Sequence, residues 1–117
     1  MKLKTDNSKY IKGIIAEKIA RMYLRLKGYK IVENRLRTPA GEVDILAKKG
    51  DFFIVVEVKY RKKEEDALYA ITNVQQKRLY RAGGWVMQKY DAHSVRFDAI
   101  LVSSAGVKHI LNAFGQE

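Results

Sequence analysis

The order of elements along the chain predicts an α/β fold: a mixed sheet flanked by helices, in the order α-β-β-β-α-β with a final short strand. Three observations lead there. An apolar pattern of helical period opens the chain, with Ile11, Ile15, Ile19, Met22 and Leu26 at mostly three- and four-residue spacing. Three β-rich segments follow, separated by Thr38-Pro39-Ala40-Gly41 and Lys48-Lys49-Gly50-Asp51. Then Thr72-Asn73-Val74-Gln75, a capping-box signature, opens a second helix ahead of one more β-rich run. A chain of 117 residues suits one domain, residues 1–117, with a single modest core.

The first helix is expected to be capped by Asn7 or Ser8 and to end near Gly28. Its main apolar stripe is the Ile11 to Leu26 set. Glu17 lies off that stripe, a turn away from Gly13 and Ala20 and near Leu24, on a second face whose small residues permit close packing. Tyr29 to Arg37 reads as the first strand, and Glu42 to Ala47 with Phe52 to Tyr60 as a hairpin. Arg61 to Asp66 is a charged stretch, and Ala67 to Ile71 is too short to assign. The second helix runs from its Thr72 cap toward Tyr90, with Leu79, Gly83, Val86, Tyr90 and Gln76 on its inward face. Gly83-Gly84 costs roughly 1 kcal/mol per glycine in a helix interior, which implies close packing or a break. Val95 to Val102 and Val107 to Leu111 complete the strands.

Charge narrows the function classes. Lys and Arg number 23 against 13 Asp and Glu, a formal net charge of +10. So basic a small domain points to a polyanionic partner, nucleic acid first, with solubility alone as the bland alternative. A membrane surface is not expected, because no long basic amphipathic stretch carries exposed aromatics. The absence of Cys removes disulfides and thiolate metal sites. The opening residues Met1 to Asp6 lack a signal peptide's apolar region, so a cytoplasmic location is expected.

The most informative segment is Gly41-Glu42-Val43-Asp44, followed across a turn by Val56-Glu57-Val58-Lys59. Residues two apart on a strand share a face, so Glu57 and Lys59 point the same way. With a four-residue loop joining Ala47 to Phe52, Asp44 falls opposite Val55 and becomes the diagonal neighbour of Glu57, roughly 7–8 Å away at Cα. Two carboxylates and an ammonium in an apolar sheet need compensation, and a hard divalent cation such as Mg²⁺ supplies it. An ordinary same-face ion pair is the alternative for Glu57 and Lys59, and a solvated helix position for Glu17. Gln76 reads equally well as a surface amide. Glu42 shares the Asp44 face and is open between assisting a metal and pairing with a basic side chain across the strand. Asp98 beside Arg96 reads as a structural ion pair, His93 and His109 as structural, and Trp85 as core.

Taken in order, Gly13-x-x-x-Glu17, Lys27-Gly28-Tyr29, Gly41-Glu42-Val43-Asp44, Val56-Glu57-Val58-Lys59, Gln76-Lys77-Arg78-Leu79, Arg96-Phe97-Asp98 and Asn112-Ala113-Phe114 resemble the PD-(D/E)XK nuclease superfamily. More closely, they resemble the archaeal-type Holliday-junction resolvases and the related YraN-like family of predicted endonucleases. The resemblance covers nearly the whole chain from Gly13 onward. No Pro precedes Asp44, unlike the superfamily's name; Gly41 and Glu42 stand there instead.

The resemblance implies a restriction-endonuclease-like fold. It also implies a metal-dependent endonuclease acting on structured, branched DNA, with Holliday-junction (four-way) resolution as the specific expectation. By the same resemblance Asp44, Glu57 and the Val58 carbonyl hold Mg²⁺, with Mn²⁺ as a substitute, and Glu17 reaches the metal directly or through water. Lys59 contacts the attacking water or the scissile phosphate, and Gln76 orients the site or touches the phosphate. Basic groups at Arg35 and Arg37, at Arg61, Lys62 and Lys63, and at Lys77, Arg78 and Arg81 flank these residues and suit phosphate contacts. Paired cuts on a four-way junction favour a C₂ homodimer. A non-catalytic nucleic-acid-binding module of the same fold, and a nuclease or nickase of other DNA or RNA, are the alternatives.

Overall fold

The computed structural model describes residues 2–63 and 71–114, with side chains from residue 8 onward. Among these, the chain forms helix α1 (Lys2–Leu26), strands β1 (Lys30–Thr38), β2 (Gly41–Lys49) and β3 (Phe52–Tyr60), helix α2 (Asn73–Lys89), and strands β4 (Val95–Ser103) and β5 (Gly106–Ile110). The strands make one sheet in the order β1-β2-β3-β4-β5. Only the β3–β4 joint is parallel, and the connection across it carries α2. The expected mixed sheet flanked by helices is what forms. Half of the Arg61 to Asp66 stretch, from Glu64 on, and the unassigned segment up to Ala70 lie outside the described residues.

Each sheet face carries its own core. Ile45, Ala47, Ile54, Val56, Ile100 and Val102 pack with Ala16, Ala20 and Leu24 of α1. Phe53, Val55 and Phe97 pack with Leu79, Ala82 and Val86 of α2. Successive β3 residues thus alternate between the two clusters, as a pleated strand buried on both faces must.

Helix α1 corrects the sequence reading twice. It begins at Lys2, so Asn7 and Ser8 lie inside it rather than at its cap; the early residues include Lys and Leu, good helix formers. Most of its apolar stripe faces outward: Ile11 is 51% exposed, Ile15 48%, Met22 62% and Leu26 87%, while Ile19 packs against the core. The packed face is instead the small one, Ala16 and Ala20 with Leu24. Small side chains let the helix backbone come close to the sheet, and close packing outweighs the larger apolar content of the other face.

Helix α2 follows the reading. The Thr72 hydroxyl accepts from the Gln75 N–H at 3.2 Å, and the Gln75 side chain accepts from the Thr72 N–H at 3.0 Å. The two glycines do not break the helix. A Cβ at Gly83 would stand 2.5 Å from the Phe97 ring, so this position takes only glycine if the helix is to lie on the sheet.

The β2–β3 turn is tighter than expected. Lys49 pairs with Phe52, leaving a two-residue loop, Gly50-Asp51, with Gly50 at φ 59°. Glycine in the first loop position is the usual device of such hairpins. The register shifts accordingly: Ala47 pairs with Ile54, and Val55 lies opposite Leu46 rather than Asp44.

Asp98 on β4 is fully buried and anchors the far edge. It receives two bonds from Arg96 and one from the Asn112 N–H, and pairs with His109 at 2.8 Å. His109 sits edge-on to the rings of Tyr23 and Tyr29. The structural readings of Asp98 and His109 hold. Trp85, expected in the core, is only half-buried, with Lys89 stacked 5.4 Å from its ring.

Candidate functional site

The β2–β3 ladder runs from Lys49↔Phe52 to Ile45↔Val56 and stops just before Asp44 and Glu57, which are close enough for the Glu57 charge to raise the Asp44 carboxyl. Here a side chain replaces a main-chain partner: the Val58 N–H donates to Asp44 Oδ2 at 2.8 Å. The neighbouring strand is irregular at the same level. Arg35, between the pairs Asn34↔Ile45 and Leu36↔Val43, has φ 51°. A non-glycine residue in that region costs about 1 kcal/mol or more, and such positions cluster at functional sites. The side-chain alternation of β2 slips here too. Val43 and Leu46 join the α2-side core, whereas Ile45 and Ala47 join the α1-side core.

The site is short of compensation for its negative charge. Glu57 is 4% exposed, yet its Oε1 has no hydrogen-bond partner among the described residues. Its Oε2 lies 3.4 Å from Lys59 Nζ, a loose ion pair. Burial, then the Glu57 charge and to a lesser degree Glu17, push the Asp44 carboxyl up to about 7 against the lowering effect of the Val58 N–H bond. A buried oxygen without a partner beside a second, desolvated carboxylate can accept a cation or a donor from outside.

That donor set fits a hard divalent cation, which takes one or two carboxylates and fills its remaining positions with water or phosphate oxygens. Asp44 and Glu57 are the residues that could hold it. Among the described residues, no three Asp, Glu, His or Cys side chains converge into a complete metal cage. Glu17 lies near enough to raise Asp44, and its Oε1 accepts from Arg35 Nε at 2.9 Å. Arg35, expected to contact phosphate, is thereby half of an intramolecular pair. Gln76 is half-buried in the first turn of α2, where its Nε2 donates to the Ile71 carbonyl at 3.3 Å.

The remaining basic residues divide. Arg37, Arg61, Lys62, Lys63, Lys77 and Arg81 are exposed. Glu42 is exposed and paired in register with Arg37, which fits its cross-strand reading better than its metal reading. Arg78 is half-buried, its Nε lacks a partner among the described residues, and its side chain crosses Gly41, where a Cβ would stand 2.9 Å from Arg78 Cδ.

Two residues were missed altogether. Lys9 and Lys12 of α1 line a cleft of about 600 Å³ together with Lys59, Tyr60, Arg61 and Lys62 at the end of β3. A signal was present: Lys9, Lys12, Gly13 and Ala16 follow three- and four-residue spacing, so the lysines continue the helix face that packs on the sheet. No described helix is long and apolar enough to cross a membrane.

The chain is similar to proteins of several bacteria described as UPF0102 proteins. One from Nitrobacter winogradskyi is 42% identical over 87% of this chain and 90% of its own. One from Rhizobium meliloti is 43% identical over 88% of each chain. One from Bartonella bacilliformis is 36% identical over 97% of this chain and 96% of its own. A family model described as "Uncharacterised protein family UPF0102" matches residues 16–102, from the packed face of α1 through Asp44, Glu57 and Lys59 to β4, and the chain belongs to that family.

Proposed function

We propose that this protein is a metal-dependent endonuclease of restriction-endonuclease-like fold that hydrolyses phosphodiester bonds in structured DNA, with four-way junctions as the foremost substrate. One observation carries the reading: Glu57, buried at the end of the central hairpin, keeps an unpartnered oxygen beside Asp44 and within 3.4 Å of Lys59. In a protein whose other buried acid, Asp98, is fully satisfied, this is a functional arrangement rather than a packing accident.

Asp44 and Glu57 would hold Mg²⁺ or Mn²⁺, with the Val58 carbonyl as the main-chain ligand that the resemblance implies. The ion would supply an activated water and stabilise charge on the phosphate. The Val58 N–H fixes one Asp44 oxygen and so orients the carboxylate. Lys59 presents an ammonium on the Glu57 side of the hairpin, where it donates to charge developing at phosphorus. Arg37, Arg61, Lys62, Lys63, Lys77 and Arg81 are exposed cations suited to phosphate contacts that position the duplex without reading bases. The fit with a cytoplasmic enzyme of DNA recombination or repair, working as a C₂ homodimer on two-fold symmetric junctions, rests on the family resemblance and on symmetry.

A second reading, a nucleic-acid-binding module without catalysis, draws on the Glu17–Arg35 pair, which ties one Glu17 oxygen to an arginine rather than to a metal. Labelled four-way junction, flap, duplex and single strand incubated with and without Mg²⁺ or Mn²⁺ separate the two. Metal-dependent cleavage that vanishes in Glu57→Ala supports the enzyme. Tight binding with no cleavage of any form under either metal supports the module.

A further inference from the structure

The cleft beside the carboxylates is more basic than the site itself. Of its walls, Lys9 and Lys12 come from α1 and Lys59, Arg61 and Lys62 from the end of β3 and the segment after it. Five cations gathered around one concavity repel one another and need an anion. Among the described residues, the one carboxylate paired with any of them is Glu57, against Lys59. Arg61 donates to the Tyr60 carbonyl at 2.6 Å, and Lys12 lies 5.8 Å from the centre of the Tyr60 ring. A solvated charge run on a convex face would not place its cations on two elements across a gap.

Size and lining chemistry narrow the anion. A space of about 600 Å³ is roughly 8 Å on a side, smaller than the ~12 Å major groove of a duplex, let alone the duplex itself. A duplex lies on a surface; it does not enter such a cleft. A single strand does. The cations suit its phosphates and the Tyr60 ring face suits a base. Among the described residues the walls carry no Asn, Gln, Asp or Glu to read base edges. Lys59 belongs both to the cleft and to the carboxylate cluster, so the cleft opens from the reacting position.

We propose that this cleft is a sequence-independent binding site for an unpaired nucleic-acid strand that leaves the cleavage position between the N-terminal half of α1 and the end of β3. The proposal rests on the nucleic-acid reading above and deepens it: the preferred substrate carries a single-stranded segment next to the duplex that is cut. Flaps, tails and splayed branches then bind better than continuous duplex.

The test is a binding titration in EDTA, which separates it from cleavage. Blunt duplex is compared with the same duplex bearing a tail of about 10 dT nucleotides. The tail is expected to tighten binding about tenfold at moderate salt and to steepen the dependence of log K on log salt by roughly 0.7 for each phosphate the cleft neutralises. In the double variant Lys9→Ala, Lys12→Ala, both exposed on α1, the tail's advantage should fall to about twofold or less. Lys12→Glu should reduce it further, and circular dichroism of both variants confirms the fold. Equal affinity for tailed and blunt duplex in the wild type overturns the proposal while leaving the nuclease reading intact. So does a tail advantage that survives in both variants. Failure to bind any of these nucleic acids overturns both.

Discussion

Asp98 and Glu57 lie on adjacent parallel strands, one register step apart, Val56 facing Asp98 and Glu57 facing Ala99. Both are buried, at 0% and 4% exposure. Their surroundings are opposite. Asp98 is enclosed by Arg96, His109 and the Asn112 N–H. Burial alone would raise its pKa, but those hydrogen bonds outweigh it and hold the carboxyl below its ordinary value. Glu57 has a loose lysine and an empty-handed oxygen, and its neighbour Asp44 is raised to about 7. The difference teaches how to read a buried charge. Where compensation is complete, the charge serves the fold. Where it stops short, the charge is left open to a partner from outside, which is what the proposed metal would supply.

The comparison breaks most visibly in cleavage. Glu57→Ala or Asp44→Ala should abolish metal-dependent cleavage while DNA binding stays nearly intact, because each removes negative charge from a basic surface. Unchanged cleavage by either purified variant removes these residues from the site. Asp98→Ala should do the reverse. Leaving Arg96 and its buried surroundings without their carboxylate should cost about 3–5 kcal/mol of stability, read by urea unfolding. A loss below about 1 kcal/mol would mean that the Asp98 cluster does not hold β5.

Lys59→Ala tests the same contrast more finely. It should lower the cleavage rate about 10²–10³-fold, as loss of one preorganised donor does, with little change in melting temperature. Wild-type speed would make Lys59 an ordinary partner of Glu57.

The smallest effect is in pH. Asp44 is pushed up to about 7 in the folded chain, well above the ordinary value of an aspartate, so the folded chain keeps a proton that the unfolded chain releases. That contribution to stability is full below about pH 4 and is lost as pH rises toward 7. Asp98, shifted the other way, contributes above its ordinary value and loses that contribution as pH falls through its lowered one. Asp44→Asn should therefore gain on the wild type between pH 4 and pH 7, on the order of 1–2 kcal/mol once the half-burial of Asp44 is allowed for. Thermal melts across that range in EDTA measure it, and parallel curves for the two proteins would contradict the shift.

Sequence by itself determined whatever depends on near neighbours. The Thr72–Gln75 cap, the strand Phe52–Tyr60 and the shared face of Glu57 and Lys59 follow from local bonding and from a two-residue period, and the fold shows all three. So does the order of helices and strands, because turn residues and hydrophobic period sit in the chain itself. Three features needed the tertiary structure. The outward turn of Ile11, Ile15, Met22 and Leu26 was not legible, because apolar periodicity counts surface without knowing which face can approach a sheet most closely. The Glu17–Arg35 pair depends on a positive φ at Arg35, to which the residue type gives no clue. The register of the hairpin that leads to Asp44 and Glu57 hangs on whether the turn spends two residues or four, and an error at Gly50 carries through the whole hairpin. Residue types and spacing are written in the chain; which side chains end up lacking a partner is decided only when distant segments meet, and here that decision falls on Glu57.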